Sequence, residues 1–327
     1  METYLKIVST GICLPERKLS NADLEKMVET SDEWIITRTG IGERRISDKG
    51  VATSDLGAAA GRMALENANR SPDDVELIIV ATATADHLFP STACCVQSKL
   101  GALNATAFDI SAACSGFLYS LTVAYSLLRS GLFRNALIIG AETLSKITDY
   151  EDRATCVLFG DGAGAMFVEL GDDGNGLFAS HLGSDGSLGG LLHLPAGGSR
   201  MPASMETVEQ RQHYIKMNGN ELFKVAVRSM EEAARRTIAK VGLDTSEVDL
   251  LIPHQANIRI INSLRKRLDI EEERLYVNIE RFGNTSAASI PIAFHEARVK
   301  GLCDKDSNIL LVAFGGGITW GGVILRG

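Results

Sequence analysis

The sequence predicts an α/β protein built from two related halves, each with a mixed, mostly parallel sheet that is covered by helices. Short apolar runs alternate with helical patterns along the chain, which is typical of parallel strands joined by helices. The order of elements also repeats, because the residue numbers of Val75 and Val248 differ by 173 and those of Leu137 and Ile309 differ by 172. These near-equal offsets favour an internal duplication over a chance resemblance between generic βα units.

The repeated elements can be placed in order in both halves. Each half contains an amphipathic helix, then a short polar turn, then a buried strand. The expected pairs are helices 55–69 and 221–241, strands 77–80 and 250–252, strands 136–140 and 309–313, and the strand-to-helix junctions 108–115 and 277–286.

The duplication divides the chain into residues 1–175 and residues 176–327. Residues 183–211 have the weakest periodicity and contain several Gly, Pro and Ser residues. This composition is typical of irregular segments, so we predict a long loop here that joins the halves.

Composition narrows the class of protein. The chain has 327 residues, of which 45% are hydrophobic, and a formal net charge of -8, which argues against a general nucleic-acid binder. Its 6 cysteines are scattered, without the Cys and His spacing of a zinc site, so we expect free thiols in a reducing compartment and no bound metal. The first residues already read as a strand, and no apolar run is long enough to span a bilayer. We therefore expect a soluble cytoplasmic protein without a membrane partner.

Cys114 is the first candidate for chemistry. It lies where a predicted strand, residues 105–110, gives way to a helix that ends near Ser130-Gly131. Unpaired N–H groups and the positive end of the helix dipole favour a thiolate at such a position, so we expect a lowered pKa. Small neighbours leave room for a substrate. The competing interpretation is an inert core cysteine.

Two polar residues of the second half lie at similar junctions. His254 follows the strand 250–252, at the position that matches Ala81, and Pro253 restricts the backbone beside it. Asn284 precedes a helix in the counterpart of the Cys114 loop. A structural histidine and a helix cap are the ordinary interpretations. The functional interpretation is that both side chains point into a pocket shared with the thiol.

Two runs of the sequence are rich in glycine, and the run at 315–317 follows a buried strand. Gly315, Gly316 and Gly317 allow a close backbone approach, which suits either a tight turn or backbone N–H groups that stabilise an oxyanion. The run 159–164 superficially resembles a nucleotide loop, but a strand rather than a helix follows it, which disfavours a nicotinamide dehydrogenase.

A cysteine, a histidine and an asparagine at three junctions, with a glycine-rich loop, resemble the thiolase-like condensing enzymes. Within them the chain is most similar to the β-ketoacyl-acyl-carrier-protein synthase III family, since elongating relatives pair their cysteine with two histidines. The resemblance implies the duplicated five-layer αβαβα fold. It is carried by residues 30–41, the Cys114 segment 109–117, and residues 253–257, 283–286 and 315–321.

The resemblance also implies a reaction, a decarboxylative Claisen condensation that initiates fatty-acid synthesis. Cys114 would take the acyl group of acetyl-CoA or a short branched acyl-CoA, with the backbone N–H groups of Cys114 and Gly316 as the oxyanion hole. His254 and Asn284 would stabilise the enolate formed from malonyl-acyl-carrier protein. The products would be 3-oxoacyl-carrier protein, CoA and CO2. No resident cofactor is implied, because the CoA thioester is a substrate.

Binding residues and partners follow from the same resemblance. A homodimer is implied, in which Phe89 reaches the partner's acyl pocket and favours short chains. The implied CoA contacts are Thr30, Trp34, Arg38, Arg153, Gly219, Asn220, Phe223, Ala256 and Asn257. Docking of an acidic acyl carrier protein is implied for Lys224, Gln255, Ala256, Asn257, Ile258, Arg259 and Lys266.

One feature supports carrier docking without the family. The predicted helix 257–268 carries Arg259, Arg265, Lys266 and Arg267 off its apolar face, in a chain of net charge -8. A basic rim beside His254 would steer an acidic protein to the site, although a charged run is often only a solvated face.

Three alternative functions stay open at this point. A related ketosynthase of secondary metabolism, or an enzyme of head-to-head acyl condensation, would use the same three residues on other acyl chains. A non-catalytic paralogue acting as a dimer partner is a second alternative, which the intact cysteine, histidine and asparagine disfavour. The nicotinamide dehydrogenase is the third. The sequence does not fix the acyl primer.

Overall fold

The computed structural model describes residues 3–172 and 178–326, in which helices surround two large sheets. The strands of these residues are β1 Tyr4–Cys13, β2 Lys18–Ser20, β3 Glu43–Arg45, β4 Leu77–Ala81, β5 Thr106–Ile110, β6 Asn135–Thr143, β7 Asp161–Gly171, β8 Phe178–Ser184, β9 Leu192–His193, β10 Lys216–Met217, β11 Leu250–Pro253, β12 Asn308–Gly315 and β13 Thr319–Arg326.

Helices fill the connections between these strands. Short 3-10 turns also precede two of them, at Ala113–Ser115 and Ser286–Ala288. The α-helices of the described residues are α1 Asn21–Leu24, α2 Asp32–Thr39, α3 Thr53–Asn67, α4 Thr92–Leu100, α5 Gly116–Arg129, α6 Arg153–Cys156, α7 Met205–Glu209, α8 Gly219–Ala239, α9 Ile258–Leu268, α10 Ile279–Phe282 and α11 Ser289–Val299.

The two sheets have the same strand order. The first runs β1-β7-β6-β4-β5 and the second runs β8-β13-β12-β11, with a bridge between Leu251 and Leu275 where a fifth strand would lie. In the first sheet β7 is antiparallel to both neighbours, whereas β4 is parallel to both of its own. In the second sheet β13 takes the antiparallel place. Both sheets are therefore mixed, with most strands in one direction, as predicted.

Strand register confirms the duplication and refines its offset. Ile78 pairs with Leu137 in the first sheet, and Leu251 pairs with Leu310 in the second, so the residue numbers of both strands differ by 173 between the halves. The match of Leu137 to Ile309 was therefore wrong by one position. The turns Ala113–Ser115 and Ser286–Ala288 obey the same offset. The paired strands and the turns of the two halves therefore share a single offset of 173 residues.

The core has the five layers that the resemblance implied. The central layer is formed by α5 and α11, whose buried side chains share one hydrophobic cluster with residues of both sheets. Helices α3 and α4 cover the outer face of the first sheet, and α8 and α9 cover the outer face of the second. Apolar strands with helices on both faces explain the continuous hydrophobic runs in the sequence.

The first sheet and the turn before α11 approach each other very closely. A Cβ atom at Gly140, in β6, would lie 2.3 Å from the carbonyl oxygen of Ala287. A contact this short cannot be formed by any residue with a side chain, so this position requires glycine. The loop that carries Asn284 is held against the first half here.

The predicted joining loop was wrong. Gly183 lies in β8, the first strand of the second sheet, and the residues after it include a 3-10 helix at Gly186–Leu191 and helix α7. This segment connects β8 to α8, inside the second half. The glycines of this segment lie among short elements of the second half and not in a linker between the halves. Composition alone does not distinguish the two cases. The predicted boundary between residues 175 and 176 lies outside the described residues.

None of the helices found in residues 3–172 and 178–326 combines the length and the apolar character needed to cross a bilayer. The same residues contain no group of His, Cys, Asp or Glu side chains placed to hold a metal ion.

Candidate active site

Cys114 occupies the 3-10 turn between β5 and α5. The turn leads directly into the first residue of α5, Gly116, so the thiol lies at the N-terminal end of a buried helix. Cys114 is only 8% exposed. Gly315 lies close against this turn, because a Cβ atom there would be only 2.7 Å from the backbone nitrogen of Cys114.

The expected thiolate is not the form that this environment favours. Burial raises the pKa of the Cys114 thiol to about 12, and this outweighs the opposing hydrogen bond from Ser286. The negative charge of Glu142 raises the pKa further. The prediction of a lowered pKa was therefore wrong, and the thiol is protonated at neutral pH. The helix start alone was an incomplete guide because it says nothing about desolvation.

Glu142 is an ionisable group near the thiol that the sequence analysis missed. It is fully buried at the end of β6, where Thr84 Oγ1 donates to its carboxylate at 2.6 Å and the Ala83 N–H donates at 3.1 Å. Burial raises the pKa of this carboxyl group to about 6. A single acidic residue at the end of an otherwise apolar strand was the available signal, since such residues are rarely buried without partners.

His254 lies immediately after β11 with its side chain enclosed. Its backbone N–H donates to the carbonyl of Val312 at 2.8 Å, which extends the ladder by one residue. Its Nδ1 lies 2.6 Å from Oγ of Ser289. Burial lowers the pKa of the imidazole to about 3, so His254 is neutral at physiological pH.

Gln255 holds the His254 loop and does not lie on the surface. Its amide nitrogen donates to the carbonyl of Pro253 at 2.7 Å, and its amide oxygen accepts from the Asn278 N–H at 3.0 Å. The residue is 1% exposed. This position is inconsistent with direct docking of a carrier protein by Gln255, and assigns it instead to the support of the loop.

Asn284 is held in place by hydrogen bonds of its backbone and of its side-chain oxygen. Its N–H donates to Leu158 at 2.9 Å and its carbonyl accepts from Gly160 at 3.0 Å, which ties the loop to the first half. The side-chain oxygen accepts from the Ser286 N–H at 2.8 Å. With the oxygen occupied, the NH2 end of the amide is left as the donor for a ligand.

One cavity of about 220 Å³ brings the three candidates together. Cys114 comes from the first half, whereas His254 and Asn284 come from the second. The cavity extends outward to exposed residues of α2 and α8. Its lining includes Trp34, Arg38, Cys114, Phe159, Leu192, Gly219, Phe223, His254, Ala256, Asn257, Arg259, Asn284 and Phe314.

A second cavity of about 380 Å³ also reaches Cys114. Gly316 lines it together with the turn before α5, so the glycine-rich loop and the thiol border the same space. The loop is also the tight turn between β12 and β13, so the two interpretations of this run are compatible. The remaining walls are mainly apolar, from Leu144, Ile147, Phe159, Leu192, Leu194 and Ile215.

The implied CoA residues lie mostly at the outer mouth of the first cavity. The Arg153 guanidinium lies 4.9 Å from the centroid of the Trp34 ring, in a cation–π contact at the surface. Asn220 lines an adjoining outer cavity instead, with Lys224 and Arg259. Thr30 lines neither of these two cavities, and its hydroxyl oxygen is buried.

The basic residues of α9 divide into two groups. Arg267 pairs with Glu231 at 2.8 Å, and Arg265 donates to the carbonyl of Ile270 at 2.9 Å, so both are engaged at the end of the helix. Arg259 and Lys266 are exposed. Arg259 lies beside the cavity mouth with its guanidinium 5.6 Å from the Phe223 ring centroid. Lys224, also exposed, pairs with Glu221.

Phe89 lies away from both cavities. Its side chain is 86% exposed and that of Leu88 is 87% exposed. Two large apolar side chains are therefore adjacent on the surface here.

Comparison with known proteins gives a consistent result over the whole chain. The family model described as 3-oxoacyl-[acyl-carrier-protein (ACP)] synthase III matches residues 108–186. The model for the C-terminal part of the same family matches residues 238–327. The beta-ketoacyl-[acyl-carrier-protein] synthase III of Caldanaerobacter subterraneus is 56% identical over 98% of this chain and 97% of the relative. That of Clostridioides difficile is 51% identical over 100% and 99%. The crystal structure of 3-oxoacyl-[acyl-carrier-protein] synthase III from Aquifex aeolicus covers 99% of this chain and 100% of its own, with a TM-score of 0.92 and 52% identity.

Proposed function

Because the chain belongs to the 3-oxoacyl-[acyl-carrier-protein] synthase III family, we propose that Cys114, His254 and Asn284 are the catalytic residues of its condensation. The protein is an acyltransferase that starts fatty-acid synthesis by condensing an acyl-CoA with malonyl-acyl-carrier protein. Identities above one half over nearly the whole chain disfavour secondary-metabolite and head-to-head condensation. The observation that supports the three residues best is their convergence on one cavity from separate halves.

The first step is transfer of the acyl group to Cys114. The sulfur attacks the thioester carbonyl carbon, the bond to the CoA sulfur breaks, and the thiol proton leaves with CoA. Because the free thiol is protonated, the negative charge develops only as the substrate binds and reacts. The backbone N–H groups of Cys114 and Gly316, which border one cavity, would hold the oxyanion.

The second step is carbon–carbon bond formation. Malonyl-carrier protein loses CO2, and the electron pair passes to the thioester oxygen as an enolate. His254 and Asn284 would donate hydrogen bonds to this oxygen, since one is neutral and the other has its NH2 end available. The enolate carbon attacks the acyl-cysteine carbonyl, the carbon–sulfur bond breaks, and Cys114 takes up a proton. These steps use no resident cofactor.

Substrate binding is proposed for the residues around the outer mouth. Trp34 and Arg153 would enclose the adenine of CoA, and Arg38, Gly219, Asn220, Phe223, Ala256 and Asn257 would contact the rest of it. Thr30 would act only through the local structure, because its hydroxyl oxygen is buried. An acidic carrier protein would dock on Lys224, Ala256, Asn257, Ile258, Arg259 and Lys266.

A homodimer is part of the proposal. Strand β5 ends the order of the first sheet, so one of its edges is open to another strand. Exposed Leu88 and Phe89 lie just before α4, and Phe89 would enter the partner's acyl pocket. The free state of all 6 cysteines agrees with a cytoplasmic location.

The test separates the two chemical steps. Cys114→Ala is expected to show no added acyl mass after incubation with acetyl-CoA, whereas Cys94→Ala, which removes an exposed thiol, acylates normally. His254→Ala is expected to acylate normally but to release CO2 from malonyl-carrier protein at least a hundredfold more slowly. Acyl-enzyme on Cys114→Ala, or an equal loss of both steps in His254→Ala, would contradict the assigned roles.

A further inference from the structure

Ser289 is the first residue of α11 and lies in direct contact with His254. It is 2% exposed, and its Oγ lies 2.6 Å from Nδ1 of the imidazole. The same oxygen accepts a longer hydrogen bond from the Gln255 N–H, at 3.4 Å. Both groups that approach this hydroxyl therefore come from the loop after β11.

We propose that Ser289 is a positioning residue that fixes the tautomer of His254, with the ring proton on Nε2. This inference deepens the proposed function, since an Nε2–H group is the donor that the enolate requires. It makes Ser289 responsible for the hydrogen-bonding direction of His254 without touching the substrate.

The hydrogen bonds of the hydroxyl determine the direction. Because Gln255 donates to Oγ, this oxygen acts as an acceptor on that side, and its own proton must find a different partner. Among the described residues, the group found in hydrogen-bonding range to accept it is Nδ1 of His254. The Ser289 O–H therefore donates to Nδ1, and the neutral ring carries its proton on Nε2.

The opposite tautomer would leave a buried proton without an acceptor. If Nδ1–H donated to Ser289, the hydroxyl oxygen would receive two donors and its own O–H would have no acceptor in a closed space. An unsatisfied buried donor of this kind costs an amount that corresponds to roughly ten- to hundredfold in the tautomer equilibrium. The neutral state of His254 makes the choice of tautomer meaningful, since a charged imidazole would carry both protons.

The duplication provides an independent observation. At the offset that strand register fixes, His254 corresponds to Ala81 and Ser289 corresponds to Gly116. The first-half pair is in contact too, because a Cβ atom at Gly116 would lie 3.1 Å from Cβ of Ala81. The same junction thus carries both members of the hydrogen-bonded pair in one half and neither in the other. This is the pattern expected if the serine serves the histidine rather than the fold.

The test reads the tautomer directly in the free enzyme. Protein labelled with nitrogen-15 at histidine gives ring nitrogen shifts that distinguish a protonated from an unprotonated nitrogen, and His254→Ala identifies the signals. We expect wild type to show a protonated Nε2 and an unprotonated Nδ1. A protonated Nδ1 in wild type would overturn the proposal without any variant.

Variants test the cause. Ser289→Ala is expected to give a mixture of tautomers, and Ser289→Thr, which keeps a hydroxyl, is expected to restore the wild-type pattern. Ser120→Ala is the matched control, because Ser120 is a buried serine of α5 whose hydroxyl donates to the carbonyl of Gly116 at 2.9 Å. An unchanged tautomer in Ser289→Ala would refute the assignment. If that variant does not fold, Ser289→Gly, which copies the first half, replaces it.

Kinetics then separate this inference from the proposed function. Ser289→Ala is expected to lower decarboxylation about tenfold or more and to leave acylation of Cys114 by acetyl-CoA unchanged. Equal loss of both steps would indicate a general structural defect and contradict a role through His254. If the tautomer shifts as expected while His254→Ala still decarboxylates, the proposed role of His254 fails and the assignment of Ser289 stands.

Discussion

Ala113 and Ser286 occupy equivalent positions of the two halves and share a left-handed backbone, with φ angles of 46° and 47°. Each is the first residue of a 3-10 turn that leads into a helix of the central layer. Non-glycine residues seldom adopt this conformation, and it costs of order 1–3 kcal/mol. Its presence in both halves shows that the sharp turn belongs to the repeated fold, and that only the first half places a thiol on it.

This strained turn gives the first prediction. Ala113→Val is expected to lower the free energy of unfolding by about 1 kcal/mol or more, because a β-branched residue is less tolerant of a positive φ. Ala113→Gly is expected to remain near wild type, since relief of strain offsets the added entropy of the unfolded chain. Denaturant unfolding and the acylation rate of Cys114 measure the two effects. Equal stability of both variants would contradict the strain argument.

Trp34 gives a prediction for CoA recognition. Trp34→Ala is expected to raise KM for acetyl-CoA roughly tenfold, because stacking of a base on an aromatic ring is worth about 1–3 kcal/mol. Trp34→Phe should retain part of this affinity. With acetyl-pantetheine, which lacks the adenine, the alanine variant is expected to match wild type. A similar loss with both substrates would place the effect at the thioester end of the cavity rather than at its mouth.

Exposed Lys266 allows a test of carrier docking away from the CoA mouth. Lys266→Glu is expected to raise KM for malonyl-carrier protein several-fold at low salt, with the effect fading as salt screens the charges. Acylation by acetyl-CoA should not change. The control is Arg129→Glu, which makes the same charge reversal at an exposed residue of α5. If the two reversals behave alike, the effect arises from net charge and not from docking on α9.

The lowered pKa of His254 predicts how the stability of the protein depends on pH. Its pKa is lowered to about 3 in the folded protein, whereas in the unfolded chain it is about 6.5. Between these values the unfolded chain binds a proton that the folded one does not, so stability falls as the pH decreases from 6.5. The slope from this residue is about 1.4 kcal/mol per pH unit. In His254→Gln, urea unfolding at pH 7 and pH 5 should show a smaller acid loss than in wild type.

The sequence was sufficient to locate the strand-to-helix junctions, but it did not show how deeply the side chains around them are buried. Cys114, His254 and Asn284 were selected as candidates because each interrupts an apolar pattern at the end of a strand, and the structure brings all three to one cavity. The raised pKa of Cys114, the buried position of Gln255 and the burial of Glu142 near the thiol all depend on how the chain packs. Burial of a polar side chain is a property of the packed chain, so local periodicity did not show it.

The contact of Ser289 with His254 was missed for a different reason. It joins two segments 35 residues apart, and serine at the start of a helix is common enough to attract no notice. The repeat contained the missing signal, since comparing the halves at the correct offset shows that Ala81 and Gly116 change together to His254 and Ser289. The offset could be fixed only from strand register, because the sequence matches differed by one position.

Gly140 has a practical consequence for any redesign of the cavity of about 380 Å³ beside Cys114. Even one methyl group there would push the turn that carries Ala287 away from β6. Asn284 lies three residues earlier and would move with this turn. Libraries that vary the apolar walls around Leu144 and Ile147 should therefore keep this glycine constant. Otherwise a change at those walls would be combined with a displaced Asn284 amide, the group proposed to bind the enolate.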